Sequence, residues 1–241
     1  MKLSPVSLVA SQELAQLYIL ALVNFAFGCV IFTILDQWTA VHCNAQASWW
    51  RNKSVRSDLY YVLINPIFKI ILRFIPVALV VAPLLLVMPI ESIYNLLANG
   101  RGPLGRLSPL LQCVVFFVVG DFLLYWSHRL FHRRGLWPVH AIHHGPRDVD
   151  WTTAYRFHPL NFALGPWLVT TVMIFLGVAP VNIIFVAPIE VAMAYFVHAN
   201  LNVTLGPLKY LIATPVFHRW HHARRAPRDA CNYGANFALW D

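Results

Sequence analysis

Long apolar blocks separated by polar connectors run the length of the chain. The first, around residues 13–35, is long enough at about 1.5 Å per residue to cross a hydrocarbon core of about 30 Å. A polar segment follows at 37–60, carrying Arg51, Lys53 and Arg56. Residues 61–73 are amphipathic, with Lys69 and Arg73, and read as an interfacial segment. The block 74–90 reads as the next crossing, its three prolines implying kinks that a bundle tolerates. A Gly/Pro turn at 99–109 leads into a further span at 109–127. After the polar stretch 132–158, the apolar run 160–200 breaks at Gly177–Pro180, and so reads as a hairpin that enters the bilayer and returns. Residues 203–241 form a mixed, arginine-bearing tail. No repeat, low-complexity tract or domain boundary interrupts this order. The expectation is one all-α membrane domain over 1–241, a polytopic helical bundle of about four to five spans. Within it, 1–108 supplies N-terminal spans, and 109–241 carries the chemistry in a helical cap on the cytoplasmic side.

Composition sharpens this picture. Of 241 residues, 59% are hydrophobic and 12% charged, about half the roughly 25% charged fraction of a soluble domain. A soluble protein with an unusually greasy core would need polar surface that this sequence lacks. The net charge of +8 is compatible with nucleic acid or with a membrane surface. The arginines flank apolar spans, which favours the membrane and argues against a nucleic-acid partner. Cys29, Cys43, Cys113 and Cys231 show no CxxC pair or disulfide-like spacing, so free, buried thiols are expected. The opening MKLSPVSLVASQELAQ lacks a long apolar run before a small-residue cleavage site, so no cleaved signal peptide is expected. Alternating spans place 37–60, 128–158 and 203–241 on one side, together with most of the lysines and arginines. The opposite side keeps Lys2, Arg101 and Arg106. The basic side is therefore expected to be cytoplasmic.

Three short stretches break the oily pattern with chemistry. HRLFH (128–132), HAIHH (140–144) and HRWHH (218–222) hold eight of the 11 histidines. On a helix, positions i, i+3 and i+4 share a face, so each cluster is expected to aim its imidazoles one way. Eight convergent imidazoles exceed the roughly four ligands of a single zinc, and two metals sharing them is the natural count. Imidazole suits iron, copper, nickel and zinc, so the spacing does not name the metal. Histidines near lipid headgroups or buried in packing would explain one cluster, but not three returning to one side. A metalloprotease needs HExxH, and HRLFH lacks the glutamate. A zinc transporter would need polar groups along a path at the bilayer midplane; only Asp121 and Glu190 lie inside the spans, near the histidine end. A metal-binding transporter or sensor without oxygen chemistry remains the alternative from another class. Asp121, two turns before His128, is expected to orient a ligand imidazole from behind. His158, preceding Pro159, either does the same or caps a helix. His42, alone in the first loop, is expected to be irrelevant.

These boxes resemble those of the fatty acid hydroxylase and sterol desaturase superfamily, integral-membrane di-iron oxygenases. DFLLYWSHRLFH at 121–132, RFHPL at 156–160, FVHANLN at 196–202, and TPVFHRWHH followed by DACNYGANFALWD share the likeness. It covers about 109–241; the first hundred residues agree only as generic spans. The resemblance implies that His128, His132, His140, His143, His144, His218, His221 and His222 are catalytic ligands of two irons, with His198 as a ninth. Asn202, one turn on, reads as a donor behind the ligands rather than a ligand itself, and the resemblance places Asn232, Tyr233 and Gly234 as a closure over the metals. It further implies O2 as co-substrate and attack on an unactivated C–H bond of a lipid, giving hydroxylation or desaturation. Sterol, fatty acyl, alkylglycerol ether and carotenoid substrates all fit, entering from the bilayer. With no haem or flavin fingerprint, electrons would come from an external cytochrome b5 or ferredoxin with its reductase, docking on the arginine-rich face. The family continues past a pair like Trp240–Asp241, so truncation at the C-terminus is expected. The sequence leaves the oligomeric state open.

Overall fold

The computed structural model describes residues 5–38, 43, 48–223 and 231–241. Among these residues the secondary structure is helical, with one isolated antiparallel bridge between Ile212 and Phe237. The chain opens with α1 (Pro5–Trp38) and continues through α2 (Val55–Leu85). The interfacial segment expected at 61–73 and the crossing expected at 74–90 are therefore not separate. One 31-residue helix runs through Pro66, Pro76 and Pro83, and the break falls after Leu85. Each internal proline removes only one N–H, a loss that neighbouring helices can absorb in a bundle.

Short helices α3 (Ile90–Asn99) and α4 (Gly102–Gly105) lead to α5 (Pro109–Phe131). The Ser108 side chain accepts from the Leu111 N–H, and Pro109 occupies the first turn, where its missing N–H costs nothing. Then come α6 (Trp137–His140), a 3₁₀ turn at Trp151–Tyr155, α7 (Pro159–Leu164), α8 (Pro166–Leu176), α9 (Pro180–His198) and α10 (Pro215–His221). The hairpin expected over 160–200 is present, with an additional break at Gly165.

Among the described residues, four stretches are long and apolar enough to cross a membrane: Tyr18–Leu35, Pro109–Phe131, Pro159–Leu176 and Pro180–His198. Their outward side chains include Ile19, Phe27, Val30, Leu111, Val114 and Phe185, all exposed. So much exposed apolar surface would aggregate in water and is the normal exterior in lipid. The fold is an all-α polytopic membrane bundle, as the sequence implied.

Two poles organise it. At one, the Arg101 N–H donates to the Gly177 carbonyl at 2.9 Å. Gly177 has φ +108°, and a Cβ there would sit 2.2 Å from the Arg101 carbonyl oxygen, so only glycine fits. Buried Gln112 ties the same pole, accepting from the Ala179 N–H at 2.8 Å and donating to the Leu107 carbonyl at 3.1 Å. Both α5 and α9 start here, pack together, and carry His128 and His198 to the opposite pole.

That second pole is braced from the N-terminal half. Trp151, fully buried, stacks on Phe32 and packs with Trp49, Val55, Tyr195 and Leu201. A Cβ at Gly28 would fall 2.4 Å from the Trp151 ring, so glycine there lets the indole reach α1. Buried Asp58 of α2 pairs with Arg156 at 2.7 Å and accepts from the Thr152 hydroxyl at 2.7 Å. The loop 151–157 is thereby fixed on both flanks, and it leads directly into the histidine site.

Candidate metal centre

Nine imidazoles converge at this pole and divide into two neighbouring groups. His128, His132, His140, His144 and His221 form one, and His143, His198, His218 and His222 the other. Within each group the candidate ligand nitrogens lie within 4.8 Å of one another. The groups touch: the rings of His144 and His222 stack with centroids 4.3 Å apart.

This corrects the expectation that each cluster presents one face. His140 and His144 share a face at i,i+4, as do His218 and His222. The middle histidine of each HxxHH sits about 100° away from its immediate neighbour on a helical path. So His143 joins the second group while His140 and His144 join the first, and His221 departs from His218 and His222 in the opposite sense. Adjacent histidines let one short box contribute to both groups.

Hydrogen bonding explains why the nitrogens gather. The Nδ1 atoms of His128, His143, His198 and His221 meet the carbonyls of Tyr233, Arg156, Ala194 and Cys231 at 2.8, 3.2, 2.6 and 2.8 Å. A carbonyl only accepts, so these Nδ1 atoms carry the protons and their Nε2 atoms present bare lone pairs. Yet Nε2 of His143 lies 3.2 Å from Nε2 of His198, which lies 3.0 Å from Nε2 of His218. Nε2 of His132 likewise lies 3.2 Å from Nε2 of His221. Between His143 and His198, whose Nδ1 atoms both carry the proton, the facing lone pairs are bare and repel unless a cation sits among them. The separations match neighbouring nitrogen ligands on a metal at about 2.1 Å. The buried His144 Nε2, which has no hydrogen-bond partner, offers one more.

His140 completes the pattern by a different route. Its Nδ1 lies 3.2 Å from the Asn161 amide nitrogen, while the Asn161 oxygen has no partner. Turning that amide, whose O and N are nearly indistinguishable by shape, lets its oxygen accept from His140 Nδ1–H and leaves His140 Nε2 bare as well. The residues present therefore fit two metal ions held by imidazole alone.

Protonation is suppressed throughout. Burial first, and neighbouring imidazoles second, bring His132 down to about 3 and His144 to about 2. The same causes hold His143, His218, His221 and His222 well below the ordinary range. Unfolding returns each to about 6.5, so below that pH the unfolded chain binds more protons and stability falls as pH falls. Chelator-treated protein in detergent should show a flat unfolding midpoint above about pH 7 and a falling one towards about pH 5. Iron loading should oppose the fall, because protons and metal compete for the same lone pairs. A midpoint that rises on acidification contradicts this.

The residues expected to support the ligands behave otherwise. Asp121 touches no imidazole. Its Oδ1 accepts from the Asn236 N–H (2.9 Å) and amide (2.8 Å), and its Oδ2 from the Phe237 N–H (3.0 Å) and the Trp240 indole (2.8 Å). Two helical turns are about 10 Å along the axis, beyond a carboxylate's reach, and the C-terminal segment takes its place. His158 caps α7, its Nδ1 accepting from the Leu160 N–H at 3.1 Å because Pro159 has none to give. Asn202 is exposed. His42 lies outside the described residues. What does orient the imidazoles is a set of backbone carbonyls and Asn161. The carbonyls leave no side-chain signal; Asn161, a lone amide within the apolar run after RFHPL, was the available one.

Asn232, Tyr233 and Gly234 lie in the C-terminal segment beside the first group. The Tyr233 ring lies 5.6, 5.1 and 5.4 Å from those of His128, His132 and His221. Asn232, at φ +61°, donates to the Phe217 carbonyl, and the Asp241 carboxylate accepts from the N–H groups of Tyr233 and Gly234. The four cysteines are free. A cavity of about 230 Å³ opens beside His128, His140, His143, His198 and His218, walled mainly by apolar side chains such as Leu124, Phe131, Phe162 and Val197.

Comparison with known proteins points the same way. The family model for fatty acid hydroxylases matches residues 113–241. Over 131 residues the chain is 30% identical to the ornithine lipid hydroxylase OlsE of Rhizobium tropici, covering 54% of this chain and 40% of that protein. It is 33% identical over 147 residues to an alkylglycerol monooxygenase of Xenopus tropicalis, covering 56% and 30%. A Delta(7)-sterol 5(6)-desaturase of Gibberella zeae is 26% identical over 243 residues, covering 95% and 62%. The chain thus spans less than half the length of the first two relatives. No solved structure matches.

Proposed function

This chain belongs to the fatty acid hydroxylase family, and on that premise we propose that it is an O2-dependent di-iron oxidoreductase that hydroxylates or desaturates an unactivated C–H position of a bilayer lipid. The observation that carries the proposal is the pair of imidazole groups whose Nε2 atoms crowd together, bare on both sides between His143 and His198. Two irons held there would supply the oxidising power, with O2 and electrons from an external donor. His128, His132, His140, His144 and His221 would hold one, and His143, His198, His218 and His222 the other. The chain's own part is to orient those rings through fixed carbonyls and to present an apolar cavity that receives a lipid and limits water. Sterol, acyl and alkyl-ether chains all suit such walls, and the relatives' names span lipid hydroxylation, monooxygenation and sterol desaturation. A transporter would need a polar path through the spans, whereas Asp121 is fully engaged by the C-terminal segment.

Exposed Arg129, Arg133, Arg134 and Arg147 surround the histidine pole, which suits an acidic electron carrier of cytochrome b5 or ferredoxin type on the cytoplasmic side. In a background lacking native cysteines, Arg147→Cys should be labelled from the cytoplasm and Arg106→Cys only from the opposite side. Labelling of both from one side contradicts the orientation. The activity itself is tested by supplying iron-loaded protein with lipid, O2 and a reductant. O2 uptake should match oxidised lipid formed; lipid turnover without O2, or none in protein holding two irons, contradicts the proposal.

A further inference from the structure

Glu190 is a carboxyl to which the described residues offer no partner. It lies on α9 eight residues before His198, roughly 12 Å along the helix axis. It lines the same cavity as the histidines, and among the described residues it makes no hydrogen bond or ion pair. Asp121, the other carboxylate inside the spans, accepts four. An ionisable group within a span is costly and by default marks a function. Of the other polar side chains that line the cavity, Ser127 donates to the Leu164 carbonyl, Asn236 to Asp121, and the Asn161 amide meets His140, none of them bonding Glu190. The partner must then come from whatever fills the cavity.

We propose that Glu190 determines specificity by hydrogen-bonding a hydroxyl of the lipid, so that the substrates are hydroxyl-bearing lipids. This rests on the oxidoreductase reading and deepens it. A hydroxyl fits better than a charged headgroup. The walls between Glu190 and the histidines are apolar, Leu124, Phe162 and Val197 among them, and a full charge would lose its water with a single side chain in return. The hydroxyl on Glu190 also acts as a ruler, setting which carbon of the lipid lies beside the imidazoles.

The test compares a long-chain alcohol with its methyl ether, which cannot donate. Equilibrium binding to the unreduced protein is measured by displacement of a fluorescent lipid, and KM, kcat and product position are measured under turnover. The parent should bind the alcohol roughly tenfold or more tightly than the ether and oxidise it at one position. Glu190→Leu should raise the KM of the alcohol to that of the ether and scatter the oxidised position, while iron stays at the parent's level. Glu190→Gln, which still hydrogen-bonds, should keep most of the preference; it also serves as the test if the leucine variant does not fold. Equal binding of alcohol and ether by the parent, or an undiminished preference in Glu190→Leu, overturns the proposal. The binding arm needs no turnover, so an enzyme that discriminates the two lipids yet oxidises neither would sink the oxidoreductase reading and leave Glu190's role standing.

Discussion

Replacing His144 or His222 by alanine is expected to reduce lipid oxidation to background. The two residues belong to different groups, yet both losses should be complete, because each imidazole has no substitute among its neighbours. The deficit should exceed the roughly 10–100-fold typical of residues that only orient a ligand. Iron content should separate them. Removing His222 leaves three imidazoles in its group, and removing His144 leaves four, so His222→Ala should lose more iron. Combining both changes should be no worse for turnover than either alone, as expected of residues that act as a unit. His158→Ala is the control: it removes a cap worth about 1 kcal/mol and should keep iron and most activity. Normal turnover in either box variant would contradict a shared centre.

The second large effect is expected at Asp121, through the C-terminal segment. Asparagine there offers one acceptor oxygen where the carboxylate offers two, and it turns an N–H₂ towards groups that themselves donate. The Phe237 N–H and the Trp240 indole would be left facing a donor, at about 1–3 kcal/mol for each buried group left unsatisfied. Residues 231–241 carry the Cys231 and Tyr233 carbonyls that hold Nδ1 of His221 and His128. Asp121→Asn should therefore lower the unfolding midpoint and preferentially loosen the iron held by the first group. Trp240→Phe removes one of the four donors and should be milder. An Asp121→Asn protein with the parent's midpoint, iron content and turnover would show that this clasp does not position the rings.

The histidine boxes were legible because their chemistry demands both residue type and spacing, and both survive in a linear string. What was not legible is how each box divides. Treating HAIHH as one face was reasonable for His140 and His144, but it overlooked the 100° step that sends His143 to the second group. Asp121 shows a second limit. A carboxylate in an apolar run announces a partner, but Asn236 and Trp240 lie more than a hundred residues away, and periodicity carries no information across that distance. The ligand-orienting carbonyls of Arg156, Ala194, Cys231 and Tyr233 are backbone atoms, silent in any sequence. Where the fold departed from expectation, at α2, the prolines and the Lys69–Arg73 pair suggested a boundary that helix continuity overrides.

The central claim is a dinuclear centre made of imidazole, and the direct measurement is metal stoichiometry. Full-length protein purified in detergent, loaded with iron under reducing conditions and freed of excess, is assayed for iron per chain alongside reductant-driven O2 uptake with lipid. Nine converging imidazoles in two touching groups should hold two irons per chain, about one of which should be lost in His222→Ala. One iron or fewer per chain in the unsubstituted protein would contradict it.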